Sequence, residues 1–210
     1  MKDRKILMLG ALASVLVLTT GALWMQQRSS GGDDFAQCRS SVVSGGMGSF
    51  GTNFTLTDDT GARVTDAQVF DRPSILYFGY TYCPDICPLD AARNADAVDL
   101  LADRGVEVRP VFVTVDPARD TPEVLADFTD ALHPQMVGLT GTDEEIAAVN
   151  KGWRNYYKAQ IEDDPENYLV DHMTNSFLVL PGHGTVEVFH RDTPAEVMAD
   201  KSACFIDAAS

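Results

Sequence analysis

The chain has 210 residues, 45% of them hydrophobic and 22% charged, enough for one ordinary domain with a buried core and an N-terminal extension. Its formal net charge is -15, and beyond residue 28 it carries 12 basic against 30 acidic residues. A surface of that sign repels phosphate backbones, which excludes nucleic acid as the expected partner and suits cations or a basic protein surface.

Ile6 to Met25 is an uncharged run of 20 residues preceded by Lys2, Arg4 and Lys5. That length spans a bilayer as a helix, and the basic flank keeps the N-terminus in the cytoplasm. A cleaved signal peptide would have a shorter apolar region and a small-x-small end, which Leu23-Trp24-Met25 does not supply. The expectation is therefore a single-pass anchor in the cytoplasmic membrane, with the soluble part on the periplasmic side. Gln26 to Met47 is polar and rich in Gly and Ser. The organisation reads as anchor 1–28, tether 29–48 and folded domain 49–210.

Within that domain, Phe54 to Thr57 alternates with period two and meets the turn signal Asp58-Asp59-Thr60-Gly61, which predicts a hairpin. Ser74 to Tyr80 is a short apolar run of the buried-strand type. A helix is expected from about Cys83-Pro84 to Asp103, then a β-branched strand over Val106 to Val115. Thr121-Pro122 caps the next helix, Met136 to Leu139 forms a short strand, and Thr142 with Glu145 makes a capping box for another helix. Phe177 to Leu180 and Val186 to Phe189 flank Pro181-Gly182-His183-Gly184 as a second hairpin, and Thr193-Pro194-Ala195-Glu196 opens a last helix. Such alternation predicts an α/β fold, a thioredoxin-like central sheet flanked by helices, with an N-terminal β-hairpin added.

The chemistry concentrates at Tyr80 to Pro88, YTYCPDICP, where a buried strand gives way to a helix. Cys83 and Cys87 are four apart and share a face if helical. Free amides and the dipole at a helix start favour thiolates, and two thiolates are a soft donor pair that selects Cu(I). His172 is the best third donor, just before the Ser176 to Leu180 strand. Asp171 is expected to hold its ring through the other nitrogen, and Asp85 to tune the thiolates electrostatically. On spacing alone a structural disulfide or redox pair is the commoner outcome for two such cysteines, and CxxxC lacks the second ligand pair of a strong zinc signature. His133 reads as a helix cap, His183 and His190 as surface residues, and Met173 as a core residue.

FGYTYCPDICP, VTVDPARDTPE, GLTGT and YLVDHMTNSFLVLP, in that order, resemble the Sco/SenC family of copper chaperones. The resemblance implies a thioredoxin fold, an N-terminal anchor and a copper site at Cys83, Cys87 and His172. It also implies delivery of copper to the dinuclear centre of cytochrome c oxidase subunit II. The implied cargo is Cu(I), with Cu(II) as a second form. The implied partners are that subunit or another acceptor, a copper donor chaperone, and the membrane through residues 6–25. Cys38 and Cys204 lie outside the copper motif. Four cysteines allow three pairings, but if 83 and 87 are reserved for metal, a Cys38–Cys204 disulfide remains. An enzyme is not expected. The alternative is a thiol–disulfide reductase acting on the acceptor's cysteines, with Cys83 attacking and Cys87 resolving. Against a general reductase, the spacing is one longer than CxxC, and no Pro lies between Asp171 and Leu180.

Overall fold

Thr55–Asp58 (β1) and Arg63–Thr65 (β2) form the predicted hairpin, Leu56 facing Val64. Its turn closes because the Asp58 carboxylate accepts the amides of Thr60 (3.0 Å) and Ala62 (2.8 Å) while Gly61 takes φ +85°. The computed structural model describes residues 35–39, 47–161 and 167–210. Chain contacts separate a unit Met1–Gln37 from a body Cys38–Ser210, and of the first unit only 35–37 are described, in a turn. The expected anchor at 6–25 lies outside the described residues. Among the described residues, no helix is long and apolar enough to cross a membrane.

The body is built on Ser74–Gly79 (β3), in which all six residues are buried. β3 runs parallel to Arg109–Thr114 (β4), which runs parallel to Val137–Thr140 (β5). On its other edge β3 pairs antiparallel with Ser176–Leu180 (β8), which pairs antiparallel with Gly184–Phe189 (β9). The sheet order is β2-β1-β5-β4-β3-β8-β9, a thioredoxin-like β4-β3-β8-β9 core with the hairpin added through β5. A separate two-stranded ribbon, Tyr157–Ala159 (β6) and Val170–His172 (β7), pairs Tyr157 with His172.

Helices cover both faces, as expected for a strand apolar on both sides. Successive β3 residues alternate: Tyr77 meets Asp90 of Ile86–Ala102 (α2), while Phe78 packs on Trp153. Trp153 caps Asp143–Gly152 (α4), and Pro122–Leu132 (α3) lays Phe128 on Phe112. Ala195–Ala208 (α5) packs against α2. Thr121 caps α3 by accepting Val124 N–H, and the Thr142–Glu145 box forms at α4.

The expected boundaries shift for local reasons. α2 begins at Ile86, because Asp85 at φ -135° ψ -51° is its cap and Cys83 and Pro84 lie in the preceding turn. β4 begins at Arg109, since Val106 N–H is spent on Leu101 O and Gly105 takes φ +76°. Pro194, not Thr193, caps α5, and no side chain bonds its first turn. Asp66–Val69 adds a short helix (α1), whose Gln68 side chain accepts the Thr65 amide at 2.9 Å.

Cys38 and Cys204 are disulfide-bonded, Cα atoms 5.7 Å apart and 166 residues apart in sequence. A link closing so long a loop chiefly restricts the unfolded chain. The Cys38→Ser/Cys204→Ser variant should lose about 2–5 kcal/mol of unfolding free energy. Denaturant titration checks this, and Cu(I) affinity should not change.

Candidate metal centre

The site stands where β3 ends. Gly79 is required there: a Cβ would lie 2.9 Å from the rings of both Phe112 and Tyr77. The chain then turns, Cys83 N–H reaching Tyr80 O at 3.3 Å. Asp120, fully buried just beyond β4, holds the turn from below. Its carboxylate accepts the Thr81 amide (3.1 Å), the Thr81 hydroxyl (2.6 Å) and the Thr114 hydroxyl (2.5 Å). Burial raises the Asp120 carboxyl above its ordinary range, and these donors partly offset that.

Cys83 is half-buried and Cys87 fully buried in the first turn of α2. The Cys87 amide donates to Cys83 Sγ at 3.2 Å. Burial alone would raise the Cys83 thiol, but the Cys87 amide and side chain, with the Asp85 and Ile86 amides, bring it below its ordinary value. Burial pushes the Cys87 thiol up, and the neighbouring Cys83 sulfur adds to this. Two cysteines four residues apart therefore differ: one exposed enough to react, one enclosed. Cys83 should alkylate with iodoacetamide at least about tenfold faster than Cys87 at pH 7. Because its thiol lies below the usual 9.0, that rate should level off with rising pH before pH 9. Peptide mapping of the partly modified protein reads both.

His172 arrives from the ribbon. Along β7 and the residues before it, Tyr168 and Val170 are buried, Leu169 and Asp171 exposed, and His172 points inward with the first pair. Its Nε2 lies 3.2 Å from Cys87 Sγ. Its Nδ1 is 2.8 Å from Met173 O, an acceptor only, so Nδ1 carries the proton and Nε2 presents a lone pair to the sulfur. Burial lowers the imidazole below its usual value and keeps it neutral, the form that binds metal. Tyr77 and Tyr80 stand edge-on to the ring, centroids 6.1 and 5.9 Å away. The Tyr77 hydroxyl donates to buried Asp90 at 3.1 Å, and Arg93 and Arg191 lie 3.7 and 3.5 Å from that carboxylate.

Cys83, His172, Tyr80 and Val170 line one 310 Å³ cleft. Among the described residues, no three His, Cys, Asp or Glu side chains already form a cage for a metal ion. Cys83 and His172 thus share a cleft rather than a finished coordination sphere, and the buried Cys87 Sγ lies 3.2 Å from His172 Nε2. The set fits a soft ion: two sulfurs and a neutral imidazole nitrogen.

Two expected supporting roles are corrected. Asp171 does not hold the His172 ring. Strand alternation turns it to solvent, where it accepts Gln160 Nε2, and Met173 O takes the ring proton. The Asp85 side chain is exposed and caps nothing, so it is the Asp85 amide that reaches Cys83. Met173 is 41% exposed rather than core. His133 ends α3, its Nδ1 accepting Gln135 N–H at 3.1 Å and its Nε2 3.2 Å from Asp99. His183 and His190 are exposed. The residues not foreseen are Tyr77, Asp90, Asp116, Arg119, Asp120 and Tyr168. A Thr-Val-Asp-Pro-Ala-Arg-Asp run directly after an apolar strand is the only signal that could have marked three of them.

A family profile described as SCO1/SenC matches residues 44–207. Protein SenC of Rhodobacter capsulatus is 51% identical over 176 residues, covering 84% of this chain and 79% of that protein. Protein SCO1 homolog 1, mitochondrial, of Arabidopsis thaliana is 39% identical over 158 residues, 75% of this chain but only 47% of that one. Thus the chain spans about half the length of that plant relative. The crystal structure of Arabidopsis thaliana ScoI with copper bound superposes with a TM-score of 0.71 at 36% identity, over 75% of this chain and 99% of that one. On the profile match and these identities, the chain belongs to the SCO1/SenC family.

Proposed function

We propose that this protein is a Cu(I) metallochaperone that loads the dinuclear copper centre of cytochrome c oxidase subunit II. Cys83, Cys87 and His172 hold the metal, and residues 6–25 anchor the domain on the periplasmic side of the cytoplasmic membrane. The observation that carries this reading is the 3.2 Å approach of a neutral His172 nitrogen to Cys87 Sγ across 85 residues of chain, beside Cys83 in one cleft. Family membership supports it, as do the copper-bound structures of the Arabidopsis thaliana and Bradyrhizobium japonicum ScoI relatives.

Transfer needs a surface for the acceptor. Among the described residues, six of the seven large exposed hydrophobics lie in or next to the segments that carry the donors, and Leu169 lines their cleft. Tyr82 and Leu89 belong to the cysteine segment, and Tyr156, Ile161, Leu169 and Met173 adjoin the ends of β6 and β7, the ribbon that carries His172. An apolar rim around buried soft ligands suits a docked partner that takes the ion by thiolate exchange. The test is a competition titration of the reduced protein against a Cu(I) chelator, followed by mixing with the apo copper domain of subunit II. One copper held tightly and passed to the acceptor is expected. Failure to compete with the chelator overturns the reading.

A second reading is favoured by the unequal cysteines. The Cys83 thiolate would attack an acceptor disulfide and expel one thiolate, and Cys87 would then attack Cys83 Sγ and expel the second. Two electrons pass to the acceptor, and a Cys83–Cys87 disulfide remains. Reduction of acceptor cysteines by metal-free protein measures it directly.

A further inference from the structure

We infer that Arg119 is a positioning residue for His172: wedged between a tyrosine of the cysteine turn and a tyrosine of the histidine ribbon, it sets how closely the imidazole meets the sulfurs. The inference rests on the reading of His172 as a ligand. β6 and β7 have three residues each and lie outside the main sheet. A two-stranded ribbon of that size does not hold its place unaided. What ties it down is visible. The Arg119 guanidinium lies 3.6 Å from the ring centroid of Tyr168 and 4.7 Å from that of Tyr82. Its Nε donates to Asp116 at 2.5 Å, and the Tyr168 hydroxyl donates to the other oxygen of the same carboxylate at 2.6 Å.

Asp116 is 4% exposed and Tyr168 is buried, so the ion pair, the hydrogen bond and the stack on Tyr168 form largely out of water, where each is stronger. Tyr82 adjoins Cys83. Tyr168, Val170 and His172 face inward along β7 and the two residues leading into it, so a grip on Tyr168 is felt at the imidazole four residues on. Asp120 meanwhile fixes Thr81. The five residues Asp116 to Asp120 thereby hold both halves of the site from one short segment, although none of their side chains lines the cleft.

Arg119→Lys keeps the charge beside Asp116 but loses the planar stack, and Tyr168→Phe keeps the stack but loses the hydroxyl bond. Each should weaken Cu(I) binding about tenfold, the scale of an outer-shell partner, and reduce the nitrogen contribution to the copper X-ray absorption spectrum. In a His172→Ala background the same substitutions should change affinity by less than about twofold, because the residue they act through is gone. Equal losses with and without His172, or an unchanged nitrogen shell, would overturn the inference. Amide hydrogen exchange on the metal-free variants separates this from the question of copper itself. Exchange should accelerate in Tyr156 to Met173 and stay constant in α2 and α5, whether or not the protein binds copper. Acceleration spread over the whole body would mean that Arg119 merely stabilises the fold.

Discussion

Cys87→Ser abolishes tight Cu(I) binding while the domain remains folded: this is the largest effect expected of any single substitution. The sulfur is fully buried, faces His172 Nε2 at 3.2 Å, and stands beside the other thiol at the start of α2. Exchanging it for oxygen converts a soft donor into a hard one with almost no change in volume. Losing an outer-shell partner costs about 10- to 100-fold in metal affinity, so losing a bonded sulfur should cost well over ~100-fold. Cys83→Ser should match it in affinity but not in stability, because Cys83 is partly exposed whereas Cys87 is fully buried. Chelator competition gives the affinities, and thermal unfolding confirms the fold. Retention of affinity within tenfold in either variant would remove that sulfur from the ligand set.

Asp120→Ala is expected to be the most damaging change that leaves every donor in place. Three groups lose their acceptor together: the Thr81 amide, the Thr81 hydroxyl and the Thr114 hydroxyl. A buried donor left without a partner costs about 1–3 kcal/mol, so a loss of about 3–5 kcal/mol follows once local relaxation is allowed for. The damage is not only to stability. Thr81 lies two residues before Cys83, so freeing it loosens the turn whose amides hold the Cys83 thiol below its ordinary value. Alkylation of Cys83 at pH 7 should slow accordingly. Asp120→Asn keeps one acceptor oxygen and should recover part of both losses. Chemical denaturation and alkylation rates measured on the same two variants separate the thermodynamic effect from the electronic one.

Most of the central fold was legible because its signals are local. β3 is six buried residues in a row, α3 and α4 announce themselves through Thr121-Pro122 and Thr142-x-x-Glu145, and the β1–β2 turn carries its own aspartate and glycine. The Cys83, Cys87 and His172 set was legible as residue types, while its convergence came from the family resemblance rather than from spacing. What was illegible is what depends on tertiary contact. The β6–β7 ribbon has three-residue strands with no alternation long enough to register, and it owes its place to Tyr168 and Val170 entering the core. The Asp171 expectation failed because sequence adjacency was read as spatial adjacency; in a strand, neighbours point apart. Asp90 and Asp120 look like surface acids in sequence, yet they are buried because Tyr77, Thr81 and Thr114 wait for them. Thr65-x-x-Gln68 carries the capping-box signature of α1 in the sequence itself.

The chemistry of the site follows from an asymmetry in its two thiols and from a fixed tautomer. Cys83, half-exposed and favoured as thiolate, is the sulfur able to meet an incoming ion or an acceptor first. Cys87, enclosed and reluctant to ionise, gives up its proton only against a stronger claim such as a metal bond. His172, neutral and held by Met173 O, needs no proton loss to bind.

X-ray absorption on the Cu(I)-loaded reduced protein tests the central claim most directly, because it counts ligands by element. Two sulfurs and one nitrogen are predicted, with the nitrogen lost and both sulfurs kept in His172→Ala. A spectrum with two sulfurs alone, unaltered by removing the imidazole, would contradict the account.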